Sequence, residues 1–521
     1  MHRQPTGRRT VLKAAAAAGA ALALPNTARA ADAPIRGGTL TCSVDVQPKS
    51  LDPIMGDAPT SDRYSLLNLY EGLLRFNGKG DLEPALAESW TWNNDATAIT
   101  FKLRSGVVFH DGTPFNADAV AFNLQRAIDP AVNAPRRRDL ADIASVDVID
   151  PSTVRVNLKA TSGAALASLA VEAGMMCSPT AVKKFGADYG RNPVGTGPFR
   201  FVEWIAGTGV KMVRNDRYWR MGADRKPLPY LDGIYLRFIT NTAVKMVEVR
   251  SGNVQLTDTI TPKDFEAVLA DKSLVLVNNP VGISQWVAFN VTKPPFNNHK
   301  LRQAFNAALD REGMMKAMTR GFGQVTPTLI APSSWAFDPS LKIPKYDPAR
   351  AKQLLAEAGV GPNFACTMNI IQRDPDTQIA QFMQAQLRNV GVNMRIEVLE
   401  RQAFVPRVLA YQYEVSMGRI NVPRADPDHV FGPFFGANAA QNWAGIKNEE
   451  IFSAVDLARR ETDRAKRKVL YSRAQRLLLE NDYYAFLFFR QTKLVASRRV
   501  QNLKLDIGGA WLLADVWLAK G

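Results

Sequence analysis

Cysteine and histidine are scarce in this chain of 521 residues. The three cysteines, Cys42, Cys177 and Cys366, are odd in number and widely spaced, which excludes a disulfide framework and a cysteine metal knuckle. One disulfide in an oxidising compartment and buried thiols both stay open. Of the four histidines, His2, His110, His299 and His429, none forms an H-x-x-x-H pair or stands beside a cysteine, so no zinc site is expected. No G-x-S-x-G elbow occurs. Gly195-Thr196-Gly197-Pro198 is glycine-rich, but no Lys-Ser/Thr follows and the next segment reads as strand, which excludes a phosphate loop. No apolar run reaches the roughly 20 residues of a membrane helix. Tyr483 to Phe489 is the length of a buried strand. These absences leave no catalytic chemistry and no cofactor in view.

The first 30 residues read as an export signal. Gly7-Arg8-Arg9-Thr10-Val11-Leu12-Lys13 matches a twin-arginine motif, an apolar run follows from Ala14 to Leu24, and Ala28-Arg29-Ala30 is a small-x-small cleavage site. An ordinary secretory signal with a chance arginine pair is the alternative, and Lys13 favours the twin-arginine reading. Cleavage is expected after Ala30. No cysteine stands there to take a lipid, so the mature product is expected to be soluble and periplasmic.

Removing these 30 residues from 521 leaves 491, more than one hydrophobic core usually serves, so at least two lobes are expected. The net charge is +16; the leader holds five basic residues and no acid, which leaves +11. The densest basic runs are Arg136-Arg137-Arg138, Arg459 to Lys468 and Arg498-Arg499. They lack the interleaved aromatics of a nucleic-acid reader and read as solvated surface, so no nucleic-acid partner is expected.

The most informative stretch is Ala85 to Ala127. Ile99, Phe101 and Leu103 alternate with Thr100, Lys102 and Arg104, the pattern of a half-buried strand. Ser105-Gly106 and Asp111-Gly112 are turns. Asn116 is placed to cap a helix whose buried stripe is Val120, Leu124, Ala127 and Ile128. Phe122 lies about 200° from Val120 around that helix and faces something else, in the simplest case a second packing contact. His110-Asp111 has the look of a catalytic dyad but sits in turn chemistry. Downstream, Val146 to Leu158 reads as a hairpin turning at Asp150-Pro151-Ser152. Asp347-Pro348 starts a helix that Gly359 ends, and Gly391 separates a helix carrying Ile379, Met383 and Leu387 from a strand carrying Val392, Met394 and Ile396. Helix followed by strand indicates an α/β chain.

Trp90 with TFKLRSGVVFHDGTPFNADAV, then Gly195-Thr196-Gly197-Pro198-Phe199, Tyr218-Trp219, Leu228-Pro229-Tyr230-Leu231-Asp232 and LRQAFNAALDRE, resembles the family 5 extracytoplasmic solute-binding proteins, the peptide- and nickel-binding components of ABC importers. The resemblance implies a two-lobed α/β periplasmic binding protein fold of the large type: lobe I over 31–281 with an inserted subdomain at about 75–190, lobe II over 282–489, and a return to lobe I over 490–521. It implies a monomer that closes on one small solute, a peptide by default, and delivers it to membrane permease subunits, with no enzymatic turnover.

In peptide-binding members, the loop matching Ser416 to Phe431 carries a Trp and an Asp that holds the peptide amine. Here Pro423 stands at the Asp position and the loop has no Trp. Arg419 and Arg424 could pair a carboxylate or phosphate, or form ordinary ion pairs. Asn421 belongs to the same loop. Asp426 and Asp428 flank Pro427, where turn and cap chemistry competes with ligand contact. His429 follows at a position near which nickel-binding relatives carry a His. Phe122, Trp286, Asn442 and Trp443 are implied as cleft walls, with core packing as the alternative for each Trp. Within the same fold the solute could instead be opine-like or otherwise anionic, a glycoside, or a nickel or haem chelate. A periplasmic enzyme or a peptide-holding chaperone is the alternative from another class.

Overall fold

The computed structural model describes residues 33–56, 62–373, 375–422 and 426–520. The twin-arginine segment and Arg424 lie outside them. One sheet of eleven strands runs through both lobes. Its spine is a pair of long antiparallel strands, Leu274–Phe289 and Tyr484–Ser497, paired from Leu274↔Ser497 to Ala288↔Tyr484. On one side of this spine lie Leu256–Thr259, Thr39–Val44, Gly233–Phe238, Gly209–Arg214 and Phe199–Ile205; on the other lie Val415–Val422, Phe364–Ile371 and Val392–Leu399. The strand at Tyr484 is longer than its aromatic run suggests, because Thr492 to Ser497 keeps pairing after the run ends.

The inner second-lobe strands pack on both faces. Val287, Met368, Val392 and Leu487 pack with the helices Pro348–Glu357 and Asp376–Asn389, while Trp286, Val422 and Phe486 pack with Glu449–Arg460 and Arg464–Glu480. Local chemistry sets the helix ends as the sequence indicates. Asp347 accepts from the Arg350 amide at a proline-led start, and Gly359 lies beyond the end with φ +74°. Cys42, Cys177 and Cys366 are free and buried. Among the described residues no helix is long and apolar enough to cross a membrane.

A second, four-stranded sheet is inserted in the first lobe, ordered Ala87–Trp92, Ala98–Leu103, Thr153–Leu158, Ile143–Asp150. Helix Ala117–Ile128 covers it, capped by the Asn116 side chain as expected. Val120, Leu124 and Ala127 enter this unit's own core. Phe122 faces away and packs on the core of the main first-lobe sheet, so the helix bridges two cores.

The signature loop docks this unit. His110 Nε2 donates to the Gly197 carbonyl at 3.0 Å, and its Nδ1 accepts from the Gly195 amide at 3.2 Å. Asp111 accepts from the Ser178 hydroxyl and closes its own turn by accepting from Thr113. The pair is therefore structural. Glycine is needed opposite it: a Cβ on Gly195 would stand 2.2 Å from the Leu69 carbonyl oxygen, and one on Gly197 2.6 Å from the Leu69 carbonyl carbon.

Burial holds His110 neutral, with its pKa lowered from 6.5 to about 4. A histidine lowered in the folded state contributes stability above its unfolded value and loses it as pH falls towards the folded one. Melting temperature should therefore drop between pH 6.5 and 4 by less in His110→Gln than in the wild type. Equal drops would assign the acid sensitivity elsewhere.

Candidate ligand-binding site

A cavity of about 550 Å³ lies between the four-stranded unit and the second lobe. Its first-lobe wall includes Arg63, Arg136, Asp142, Ser168 and Glu172; its second-lobe wall includes Asn421, Asp428, His429 and Arg459. Bonds cross between the walls. Arg459 Nη2 donates to Asp142 at 2.9 Å, the Gly163 amide donates to the Arg459 carbonyl at 2.7 Å, and Ser168 Oγ meets His429 Nε2 at 3.3 Å. The volume suits a small solute enclosed by protein.

The first-lobe wall is built on a buried ion network. Arg63, on helix Arg63–Leu69, pairs with Glu172 and with Asp506 of the C-terminal segment. Glu172 also accepts from Arg136 Nη1 at 3.2 Å. Burial pushes Glu172 upward, but Arg63 and Arg136 more than offset it and hold the carboxyl below its usual range. The Arg136 side chain is only 11% exposed, and its Nε and Nη2 have no hydrogen-bond partner.

On the second-lobe wall, helix Asp428–Phe435 starts just after Asp426 and Pro427. Asp426 is buried and accepts from Arg467 Nη1 at 2.8 Å and Nη2 at 2.6 Å; it also accepts from the Asp428 amide at 2.9 Å. It is a structural anchor outside the cavity lining. Asp428 itself is 7% exposed, and its Oδ1 has no hydrogen-bond partner. Burial pushes its carboxyl up.

Of the residues singled out in the sequence, Asn421, Asp428 and His429 line this cavity. Phe122 does not. It is held against the first-lobe core with the Lys183 ammonium 5.5 Å from its ring centre. Trp286 is fully buried, its ring centre 5.7 Å from those of Phe434 and Trp443, so it is core rather than wall. Trp443 packs between Trp286 and Phe404. The Asn442 side chain closes a turn, bonding both the amide and the carbonyl of Ile446. In each case the aromatic or amide finds a partner inside its own lobe.

Arg419 lies outside the cavity lining, in a second polar cluster. It stands 3.6 Å from Asp376, which also accepts from Arg373 at 2.5 Å. Arg490 is close by, its Nε and Nη2 without hydrogen-bond partners and its pKa lowered to about 10 by burial and by Arg419. Ile283 pairs with both Arg490 and Asn421, which places Arg490 about 10 Å from Asn421, two strand spacings across the sheet.

The contributors that sequence reasoning passes over are Arg63, Arg136, Ser168, Glu172 and Arg459. Arg136 and Arg459 stand in runs that read as solvated surface; their partners are 36 and 317 residues away.

Removing Asp426 leaves the Arg467 guanidinium buried and unpaired. Asp426→Ala should cost about 3–5 kcal/mol in denaturant unfolding. A loss near zero, together with weakened solute binding, would place Asp426 in the ligand site instead.

A model described as bacterial extracellular solute-binding proteins, family 5 Middle, matches residues 81–442. The glutathione-binding protein GsiB of Salmonella typhimurium is 32% identical over 463 residues, covering 86% of this chain and 87% of the relative. Among solved structures, the ABC transporter-associated periplasmic binding protein DppA from Helicobacter pylori, in complex with the peptide STSA, is similar at 26% identity and TM-score 0.76, covering 93% of this chain and 99% of that one. A dipeptide binding protein from Pseudoalteromonas sp. SM9913, in complex with Met-Leu, is similar at 25% identity and TM-score 0.76, covering 93% and 100%.

Proposed function

The chain belongs to the family 5 bacterial extracellular solute-binding proteins, and we propose that it is the periplasmic receptor of an ABC importer for short peptides or peptide-like solutes such as glutathione. The family is one of solute-binding proteins rather than enzymes, and we assign this member no turnover. The observation that carries the solute class is the cavity itself: about 550 Å³, lined by both lobes and by charged side chains of both signs. Relatives that bind glutathione, the peptide STSA and Met-Leu support the same class. Export through residues 1–30, cleavage after Ala30 and action as a monomer complete the proposal. Delivery requires only that the closed, loaded form dock on the permease.

A ligand that binds only the folded state raises stability by about 2.7 kcal/mol at 100 times its Kd. Glutathione or a mixture of dipeptides should raise the melting temperature of the mature chain in proportion to the logarithm of concentration, with no product formed. Turnover would contradict the receptor assignment.

A further inference from the structure

We propose that the corner between helices Glu449–Arg460 and Arg464–Glu480 clasps the inserted unit at Gly163, favours the closed arrangement through bonds between protein groups alone, and so sets how tightly any solute is kept. Four hydrogen bonds make the clasp. The Gly163 amide donates to the Arg459 carbonyl at 2.7 Å, and the Gly163 carbonyl accepts from Arg467 Nη1 at 3.0 Å. Arg459 Nη2 donates to Asp142 at 2.9 Å. Arg464 Nη1 donates to Asp81, in the turn between Leu74–Phe76 and Leu82–Pro84, at 2.7 Å. Gly163 and Arg467 are 304 residues apart and Asp81 and Arg464 are 383 apart, so only apposition of the lobes joins them. Gly163, Asp81, Arg464 and Arg467 stand outside the cavity lining.

Each half of the clasp is held within its own lobe. The Arg467 guanidinium is fixed by Asp426 through two bonds and by the Ala458 carbonyl at 2.9 Å, so Nη1 is already aimed when Gly163 arrives. The Arg459 carbonyl belongs to the last turn of its helix, where carbonyls lack partners inside the helix, and the Gly163 amide satisfies it. On the other side, Ser162 Oγ holds Asp142 at 2.6 Å. Little ordering is left to be lost on closure, which strengthens the net contribution of each bond. Glycine is required at the centre. A Cβ on Gly163 would stand 2.0 Å from the Glu461 carbonyl oxygen, a backbone atom that no side-chain rotation removes. Gly163 lies outside the left-handed region, so alanine suits its backbone and fails only in this contact. A receptor binds with its intrinsic Kd divided by the fraction in the competent form, so groups that raise this fraction raise affinity for every solute alike.

The test is pulsed dipolar spectroscopy of the mature chain, stripped of solute, with spin labels at the exposed positions Val148→Cys and Val469→Cys; the native thiols are buried. The labelled protein should give mainly one short distance, and adding Gly163→Ala should shift the population to a longer one. Arg464→Asp should shift it less, as suits an exposed pair, and Asp81→Arg added to it should shift it back, a rescue that also decides the matter if Gly163→Ala fails to fold. In titration calorimetry, Gly163→Ala should weaken glutathione and the dipeptide Met-Leu by the same factor, about 10- to 100-fold. Unequal factors would make position 163 a solute contact and overturn the clasp. So would a labelled parent already at the longer distance, or distances that neither Gly163→Ala nor the charge exchange moves. The distance measurement uses no solute, so its failure is distinct from failure of the receptor assignment.

Discussion

Glu172 is the carboxylate on which the site depends. It is buried between two guanidiniums, Arg63 from an early helix and Arg136 from the inserted unit, and Asp506 from the end of the chain completes the set. An isolated buried charge is strongly unfavourable, whereas a paired and hydrogen-bonded one is tolerated, so these four groups are held as a unit or not at all. The network ties together segments separated by 109 and 443 residues. It also fixes Arg136 by one nitrogen and leaves the other two buried without a hydrogen-bond partner.

The rest of the fold brings a second wall to this one. The paired strands Leu274–Phe289 and Tyr484–Ser497 belong to both halves of the sheet, so the lobes are joined through backbone hydrogen bonds. The inserted unit is carried on the first lobe by the His110 clasp on Gly195 and Gly197 and by helix Ala117–Ile128, which packs into two cores. Helix Asp428–Phe435 is set by the buried Asp426–Arg467 pair. Asp428 is left at its start with an unpartnered oxygen.

Much of the fold is legible in the sequence because its causes are local. Strand Ala98–Leu103, the Asn116 cap, the Asp347-Pro348 start with Gly359 beyond its end, and the Gly391 break all follow from side chains within a few residues of their effect. The site is less legible. Phe122, Trp286 and Trp443 have the composition of a ligand wall, yet burial in a core satisfies an aromatic equally well, and only tertiary packing decides. Arg136 reads as one of three surface arginines until Glu172 is brought beside it. Asp426 and Asp428 look equivalent on either side of Pro427. One is taken by Arg467 and the other is not, a difference set by a helix some forty residues further on.

The central claim is that a solute is held between these two walls and engages both. Hydrogen exchange of the mature chain, with and without a saturating dipeptide mixture, tests it most directly. The account predicts slower exchange in 163–172 and 428–435 together, since closure orders both walls. Saturable binding that leaves either segment unchanged would contradict it.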